Sequence, residues 1–545
     1  MIKNISYIIL LIVLTSQIVF SQTDEVIEKA GAGIYVPEQE FTSITEDSPL
    51  SAQINTDNTS FTKLKLSSIV LDNKIHLRNV YSETLFRLDT LKGEKDESYF
   101  GAEKRYSSLT NDIQFDSSFR AKKNYWLPVI EIFFLNIGVW SMSRYIAPQP
   151  WAVISTQTVQ ANFNHAFVFD SDHFSTNQLM HPYHGNTYFN FARSSGLTFW
   201  ESAPYSMAGS FMWEFFMEVN YPSINDFITT TMGGIALGEM TYRLSSLIID
   251  ERKTGSERVW REIGAFLVAP TRGINRFFKG DITRVRSKSI YEIEPLSSSI
   301  EVGPSFIYRG ANIYRGNGNL SLRLDMYYGN PFTEKSRKPY DFFNFKGLFS
   351  FGTQPRVSQI SVYGLLFGKN YKHKADQKML IGMFQHFDYY SNTYYEIAAN
   401  SLGGGIVYKF PTVSDVTFES SLHIAGIVLG GGNNVPEAYK YEADGTAYRD
   451  YNFGMGFANK FETFLGFKDQ GYLFLGLYNF MIYTIDGADG NDNLIVFSPR
   501  VAVNLTKSTD IGFEVNYYRR ASRYKKLNDV TRNVYELKLF ISNSF

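Results

Sequence analysis

The chain contains no cysteine among its 545 residues. That absence excludes disulfides, thiolate nucleophiles, zinc–thiolate centres and lipid attachment through an N-terminal cysteine. Charge of one sign is not in excess either: 53 Lys and Arg face 54 Asp and Glu, a formal net charge of -1. An electrostatic nucleic-acid binder carries a basic excess, so no nucleic-acid partner is expected. The apolar stretch YWLPVIEIFFLNIGVWSMSRYIA, residues 125–147, is broken by Pro128, Glu131, Asn136 and Arg144. It therefore holds no uninterrupted apolar span of about 20 residues.

What is abundant is aromatic. There are 36 Tyr and 46 Phe, and aromatic residues make up 16% of the chain. A hydrophobic share of 44% excludes wholesale disorder. At about 100–200 residues per domain, the length predicts two to four domains.

The N-terminus reads as an address. Lys3 precedes an apolar stretch over 5–20, and Ser21 closes a plausible cleavage point. Residues 1–21 are read as a secretory signal peptide, with a retained anchor helix as the alternative. An exported chain without cysteine fits a Gram-negative envelope. Residues 22–120 are polar, with GEKDES at 93–98, and read as a periplasmic segment that is partly disordered.

From 298 to 545 the pattern becomes period-two alternation between turns. Leu320, Leu322, Leu324, Met326 and Tyr328 share one face, while Asn319, Ser321, Arg323, Asp325 and Tyr327 share the other. About twelve such segments are expected, several long enough to cross a bilayer as tilted strands. A soluble β-sandwich would alternate too, but its strands average nearer five or six residues. The terminal Phe545 on an alternating strand resembles the signal read by the barrel-assembly machinery, an expected partner during biogenesis. The fold class expected is α+β: a transmembrane antiparallel barrel preceded by a helical domain over 121–280 that plugs or underlies it. A linker over 281–297 joins the two.

Inside the helical domain the spacing predicts helices over 202–219 and 223–249, the latter opened by a Ser223/Asp226 cap. A further helix over 257–279 is interrupted by Pro270. The run from His181 to Gly185, His-Pro-Tyr-His-Gly, reads as a turn. Four of the eight His fall within 165–184, at His165, His173, His181 and His184, with Asp170 and Asp172 among them. Glu214 and Glu218 follow, four apart and so on one helix face.

Three chemistries compete here. His and carboxylates can bind a metal, but His181-x-x-His184 is not the His-Glu-x-x-His pattern, so no metal or cofactor is expected. Acid–base hydrolysis would use His181 or His184 with Glu214 or Glu218, although no Gly-x-Ser-x-Gly elbow accompanies Ser194, Ser195 or Ser210. The third possibility is a buried polar network with a purely structural role. The candidate catalytic residues are thus His181, His184, Glu214 and Glu218. Asn177, Tyr188, Arg193, Asp226 and Glu239 are candidate binding residues. So are His386 and Asp388, which share a face of one barrel strand.

Between 162 and 247 the residues Asn177, His181, Pro182, Gly185, Tyr188, Ser195, Gly196, Trp213, Glu214 and Glu218 stand in a motif set. Pro222, Asp226, Thr230, Gly233, Gly234, Gly238 and Glu239 complete it. This stretch resembles an uncharacterised domain of Gram-negative outer-membrane proteins, which implies location and no activity. A weaker likeness is to VanZ-like helical membrane proteins, through PSINDFITTTMGGIALGE; the four continuous apolar spans of that family are lacking. The function expected is an outer-membrane barrel serving envelope organisation, or binding or passing a small or lipidic molecule, with outer-membrane lipids as partners. The alternative is an outer-membrane hydrolase acting on lipid, lipopolysaccharide or glycan.

Overall fold

The structure is a computed structural model. It describes residues 115–544, apart from 117, 120, 310–316, 353–354, 375–376, 414, 434–448 and 450. The expected signal peptide and nearly all of the polar segment lie outside the described residues.

Among the described residues seven α-helices come first: α1 (Trp126–Ser141), α2 (Thr156–Asn164), α3 (His181–Ser194), α4 (Phe199–Phe216), α5 (Ile224–Ile248), α6 (Gly255–Val268) and α7 (Pro270–Phe278). Local chemistry fixes their starts. Thr198 accepts from the Glu201 amide while Glu201 bonds back to Thr198, a capping box opening α4. Ser223 accepts from the Asp226 amide and opens α5. Pro270 ends α6 and begins α7. The expected turn at 181–185 is instead the first turn of α3. A π-helical turn over Thr176–Met180 leads directly into it, with Pro182 as the second residue of α3.

Twelve strands follow: β1 (Leu296–Arg309), β2 (Asn317–Tyr328), β3 (Phe343–Gly352), β4 (Val357–Lys374), β5 (Gln377–Asn392), β6 (Tyr395–Lys409), β7 (Val416–Asn433), β8 (Asn452–Phe467), β9 (Gly471–Asp486), β10 (Gly490–Asn504), β11 (Thr509–Tyr524) and β12 (Val530–Ser544). Neighbours pair antiparallel all the way round, and β1 closes the barrel on β12 with Val302 opposite Ile541. An even strand count puts the start of β1 and the end of β12 on one rim, called here the terminal rim. The long 434–451 connection lies on the far rim.

Contacts between strands that are not neighbours identify the lumen. Lys346 on β3 bonds Glu462 on β8, and Lys460 on β8 reaches Asp388 on β5 at 2.6 Å. Arg323 on β2 meets Glu514 on β11 at 2.8 Å, and Arg500 on β10 bonds both Glu514 and Glu301. Tyr390, Tyr395, Ile397, Phe480 and Tyr518 add an apolar cluster to the same interior. Residues one position away point outward, and many are bare: Ile300, Leu320, Ile424, Phe457, Phe513 and Ile541 are exposed. Polar inside and apolar outside is the arrangement of a barrel that sits in lipid.

The same parity places the helices. Gln385, Phe387 and Tyr389 on β5 and Ala398, Asn400 and Leu402 on β6 point outward, yet the helices cover them. Gln385 donates to the Met232 carbonyl on α5 at 2.8 Å, and Phe174 packs on Tyr389. Phe169 packs on Phe453, and Trp200 stacks on Phe367 at 5.2 Å. The helical domain therefore docks on the outer wall of β2 to β8. This corrects the expectation that it plugs or underlies the barrel: the lumen is occupied by the strands' own charged and aromatic side chains.

Short connections, 195–198 and 217–223, make α3, α4 and α5 antiparallel neighbours, with α1 alongside through Asn136 and the Gly209 carbonyl. Their polarity is inverted relative to a water-soluble bundle. Asn136, Asn177, Asn190, Ser206, Glu214, Thr229 and Glu239 are buried. Trp126, Ile130, Phe133, Phe134, Phe211 and Leu267 are exposed.

Candidate functional site

The far-rim end of the bundle gathers side chains from α3, α4, α5 and the strap before them. α3 and α5 meet in backbone contact: a Cβ on Gly234 would lie 2.5 Å from the Gly185 Cα, and one on Gly185 only 1.8 Å from the Thr230 carbonyl oxygen. Small residues allow this approach, as they do between helices in lipid. It brings His181, the first residue of α3, against the first two turns of α5.

There His181 Nε2 lies 3.5 Å from Asp226 Oδ1, and its Nδ1 is 3.3 Å from the Thr230 hydroxyl. Glu214, near the end of α4, completes a set whose ligand-type atoms all lie within 4.8 Å of one another. Each carboxylate is held from behind. Glu214 Oε2 accepts the Ser223 backbone N–H at 2.8 Å, and Asn225 donates to Asp226 Oδ1 at 2.9 Å. Asn225 also donates to Asp170, as does Asn177, so a third carboxylate adjoins the set. The strap carrying Asp170 is tied to the start of α5, with Val168 N–H to the Pro222 carbonyl at 3.0 Å and Ile224 N–H to the Val168 carbonyl at 2.9 Å.

The other sequence-derived candidates separate into three groups. His184 faces Tyr188 at 2.9 Å, and Tyr188 donates to Asn136; this is a buried polar chain beside the cluster. Glu218 lies just beyond α4, not on its face, and accepts from Trp213 Nε1. Arg193 and Glu239 form a second site, about 20 Å further along α5 at 1.5 Å per residue. Glu239 is clamped by Arg193 at 2.7 Å and by Arg243 at 2.8 Å. Arg243 reaches on to Asp341, in the β2–β3 connection, at 3.0 Å. Burial pushes the Asp341 carboxyl up, but Arg243 and Lys335 outweigh it and hold the carboxyl below its usual range. His386 and Asp388 form the third group, in the barrel lumen, where Asp388 bonds Lys460 and Ser361 and His386 packs on His423.

The sequence marks Asp226 as part of a helix cap and as a candidate binding residue, with nothing that joins it to His181. It gives Asp170 and Thr230 no role and leaves Asn225 unmarked. No spacing signal links residues 170, 181, 214 and 226; the crossing of α3 over α5 does.

Residues 166–271 match a family model described as a domain of unknown function, DUF3943. No curated protein matches the chain. Among solved structures the chain is similar to the NanC porin, at 10% identity and a TM-score of 0.24, over 45% of this chain and 98% of that one. It is similar to the KdgM porin at 8% identity, a TM-score of 0.21, and 45% and 99% coverage. It is also similar to the Pseudomonas putida toluene transporter TodX at 8% identity, a TM-score of 0.21, and 46% and 88% coverage. Likenesses so distant say nothing of what the chain does.

Proposed function

We propose that this is an outer-membrane protein whose barrel anchors a lipid-embedded helical module, and that the module binds the polar headgroup of a membrane lipid at its far-rim cluster. The observation that carries this reading is the apolar exterior of the bundle. Trp126 is 77% exposed, Phe134 64% and Tyr145 71%, on a helical stretch from Trp126 to Ile146 of 21 residues. That stretch is about 31 Å long, close to a hydrocarbon core of about 30 Å. Tyr125, Trp126 and Trp200 lie at one end of the bundle, and Tyr145 and Tyr221 at the other, with Val129, Ile130, Phe133 and Phe134 between. Aromatic rings at both interfaces and aliphatic ones between match a bilayer profile. In water such a surface would be a large apolar patch.

Ionisable groups inside a membrane-embedded bundle are costly and mark functional sites. The cluster sits beside Asp172 and His173, which are exposed at the far rim, so a headgroup at that interface is within reach of His181. Cross-lumen ion pairs support the barrel as an anchor and favour binding over passage through the lumen.

The absence of cysteine makes the test clean. Single variants Phe134→Cys and Leu267→Cys, spin-labelled in native outer membranes, are expected to be more accessible to oxygen than to an aqueous nickel chelate. Tyr145→Cys, at the interface, is expected to show both. Water accessibility at position 134 would place the helices outside the bilayer and end the proposal. The headgroup half is read separately, as retention of lipid by the purified full chain, weakened in His181→Ala.

A further inference from the structure

We propose that His181, Glu214 and Asp226 bind one divalent transition-metal ion, zinc by the chemistry of the set, at the headgroup end of the helical module. The proposal rests on the reading above, which makes this cluster the binding site, and adds the ion that the site holds.

Geometry comes first. Zinc bonds to imidazole nitrogen and carboxylate oxygen are about 2.0–2.2 Å, so the ligand atoms of a tetrahedral site stand about 3.4 Å apart. His181 Nε2 and Asp226 Oδ1 are 3.5 Å apart, and all three ligand atoms fall within 4.8 Å of one another. The widest separation in the set, at most 4.8 Å, exceeds the tetrahedral spacing by no more than about 1.4 Å, within side-chain adjustment. One imidazole and two carboxylates suit zinc among the common divalent ions, with manganese next.

The outer contacts are those of a ligand set. His181 turns Nδ1 to the Thr230 hydroxyl, which leaves Nε2 to ligate. The Ser223 backbone N–H holds one Glu214 oxygen and the Asn225 amide holds Asp226. Such partners fix the orientation and basicity of metal ligands.

Charge is the next argument. Asp170, Glu214 and Asp226 are brought together in a buried setting. Among the described residues, His181 alone makes an ion-pair contact with any of them. Three buried carboxylates elsewhere have strong cations: Glu239 has two arginines, Glu514 has Arg323 and Arg500, and Glu462 has Lys346. A carboxylate ionised in such a setting needs a cation, and a divalent ion supplies one.

An independent observation points to the same place. Asn177 is fully buried, its amide nitrogen bonds Asp170, and its Oδ1 has no partner. Asn177 adjoins the set through Asp170, and a water on a bound ion would supply a donor to this acceptor. With three protein ligands the fourth position stays open, as in sites that take an exogenous ligand. An anionic headgroup oxygen fits it.

The test uses the full chain extracted from outer membranes in detergent. Elemental analysis after zinc exposure and dialysis is expected to give about one zinc per chain. Asp226→Asn and His181→Ala should lose most of it, and Glu218→Gln should keep it. Replacement by Co(II) should give the intense visible absorption of a four-coordinate nitrogen–oxygen site in the wild type, a readout that depends on no variant. Wild type that retains no zinc and shows no cobalt spectrum overturns the metal site. If that chain still retains lipid that His181→Ala loses, the lipid-binding reading stands without a metal. If zinc binds and lipid does not, the metal site stands and the lipid reading falls.

Discussion

Inside the barrel, Arg500 bonds Glu301 and Glu514, Lys346 bonds Glu462, and Lys460 bonds Asp388. Inside the far-rim end of the helical bundle, Glu214 and Asp226 share one imidazole. Both regions turn polar groups inward and apolar groups outward, as elements surrounded by lipid must. They differ in how charge is balanced. The barrel balances it within the chain and fills its own lumen in doing so. The bundle does the same at its terminal-rim end, where Arg193 and Arg243 hold Glu239 on α5, but not where α5 begins. The same helix thus carries a completed polar network at one end and an incomplete one at the other. A completed network is structure; an incomplete one is where a ligand completes the set.

The largest expected effect breaks the balanced side. Arg500→Met strands Glu301 and Glu514 in the lumen and should cost about 3–5 kcal/mol, because removing one partner leaves buried charge uncompensated. Denaturant unfolding of the detergent-solubilised barrel measures it. A loss under about 1 kcal/mol would mean the lumen charges are hydrated and the contrast with the bundle is false.

Next comes the crossing that builds the site. Gly234→Leu would drive its side chain into the Gly185 backbone. Overpacking of this kind costs about 1–3 kcal/mol or more. The expected signature is selective: protease sensitivity in the helical region with an unchanged heat-modifiable barrel. Simultaneous loss of both would mean that the barrel needs its docked helices to close.

A smaller effect tests the latch between α5 and the β2–β3 connection. Asp341→Asn removes a charged partner of Arg243 and should cost about 2 kcal/mol. The sign with pH follows from the depressed carboxyl. The latch contributes fully above the unfolded-state pKa of 3.8 and is lost as pH falls through the lower folded value. Thermal unfolding of wild type and variant should converge on acidification below pH 3.8 and separate above it. A gap that persists in acid would show that Asp341 acts through packing.

Much of this architecture was legible in the sequence. Alternation such as Leu320 to Tyr328 reports a strand with two different faces, and twelve strands follow. Ser223 with Asp226, and Pro270, punctuate helices by local rules. What could not be read was which apolar medium each face meets. Phe343, Phe345, Phe387 and Tyr389 point outward and are covered by helices, while Phe457 and Phe513 point outward and are bare. Lipid and a helix surface ask for the same residues. The faint signal was polar: Gln385 and Asn400 stand on the outward face, where hydrocarbon would leave them unpaired, and Gln385 bonds α5. The helix beginning at His181 was hidden because Pro182 and Gly185 are turn residues by propensity. Proline is tolerated in the first turn of a helix, and Pro182 is the second residue of α3. In a packed crossing, glycine is chosen for its missing side chain. All three residues of the cluster were legible as candidates by type. Its membership was not, because His181, Glu214 and Asp226 come from three helices whose packing no local spacing encodes.

The smallest expected effect is the sharpest test of the comparison. Asp226→Asn keeps the shape of the side chain and removes one charge. In the barrel an equivalent change, Glu514→Gln, disturbs Arg323, Arg500 and Lys538 at once and should destabilise. In metal-free protein, Asp226 has the Asn225 amide and His181 as its partners and makes no contact with a strong cation, so Asp226→Asn breaks no ion pair to Lys or Arg. It should leave stability within about 1 kcal/mol of wild type, with the change in the stabilising direction. Zinc reverses the order. Wild type gains RT ln(1 + [L]/Kd), about 2.7 kcal/mol at a hundredfold excess over Kd, and the variant gains little. The measurement is therefore a pair of melting curves for each protein, with chelator and with zinc. A crossing of the two proteins' stabilities between the two conditions identifies the far-rim cluster as a site completed by an ion. If Asp226→Asn is destabilising by several kcal/mol with chelator present, the cluster is already a finished network like that of the lumen, and the distinction between the two regions disappears.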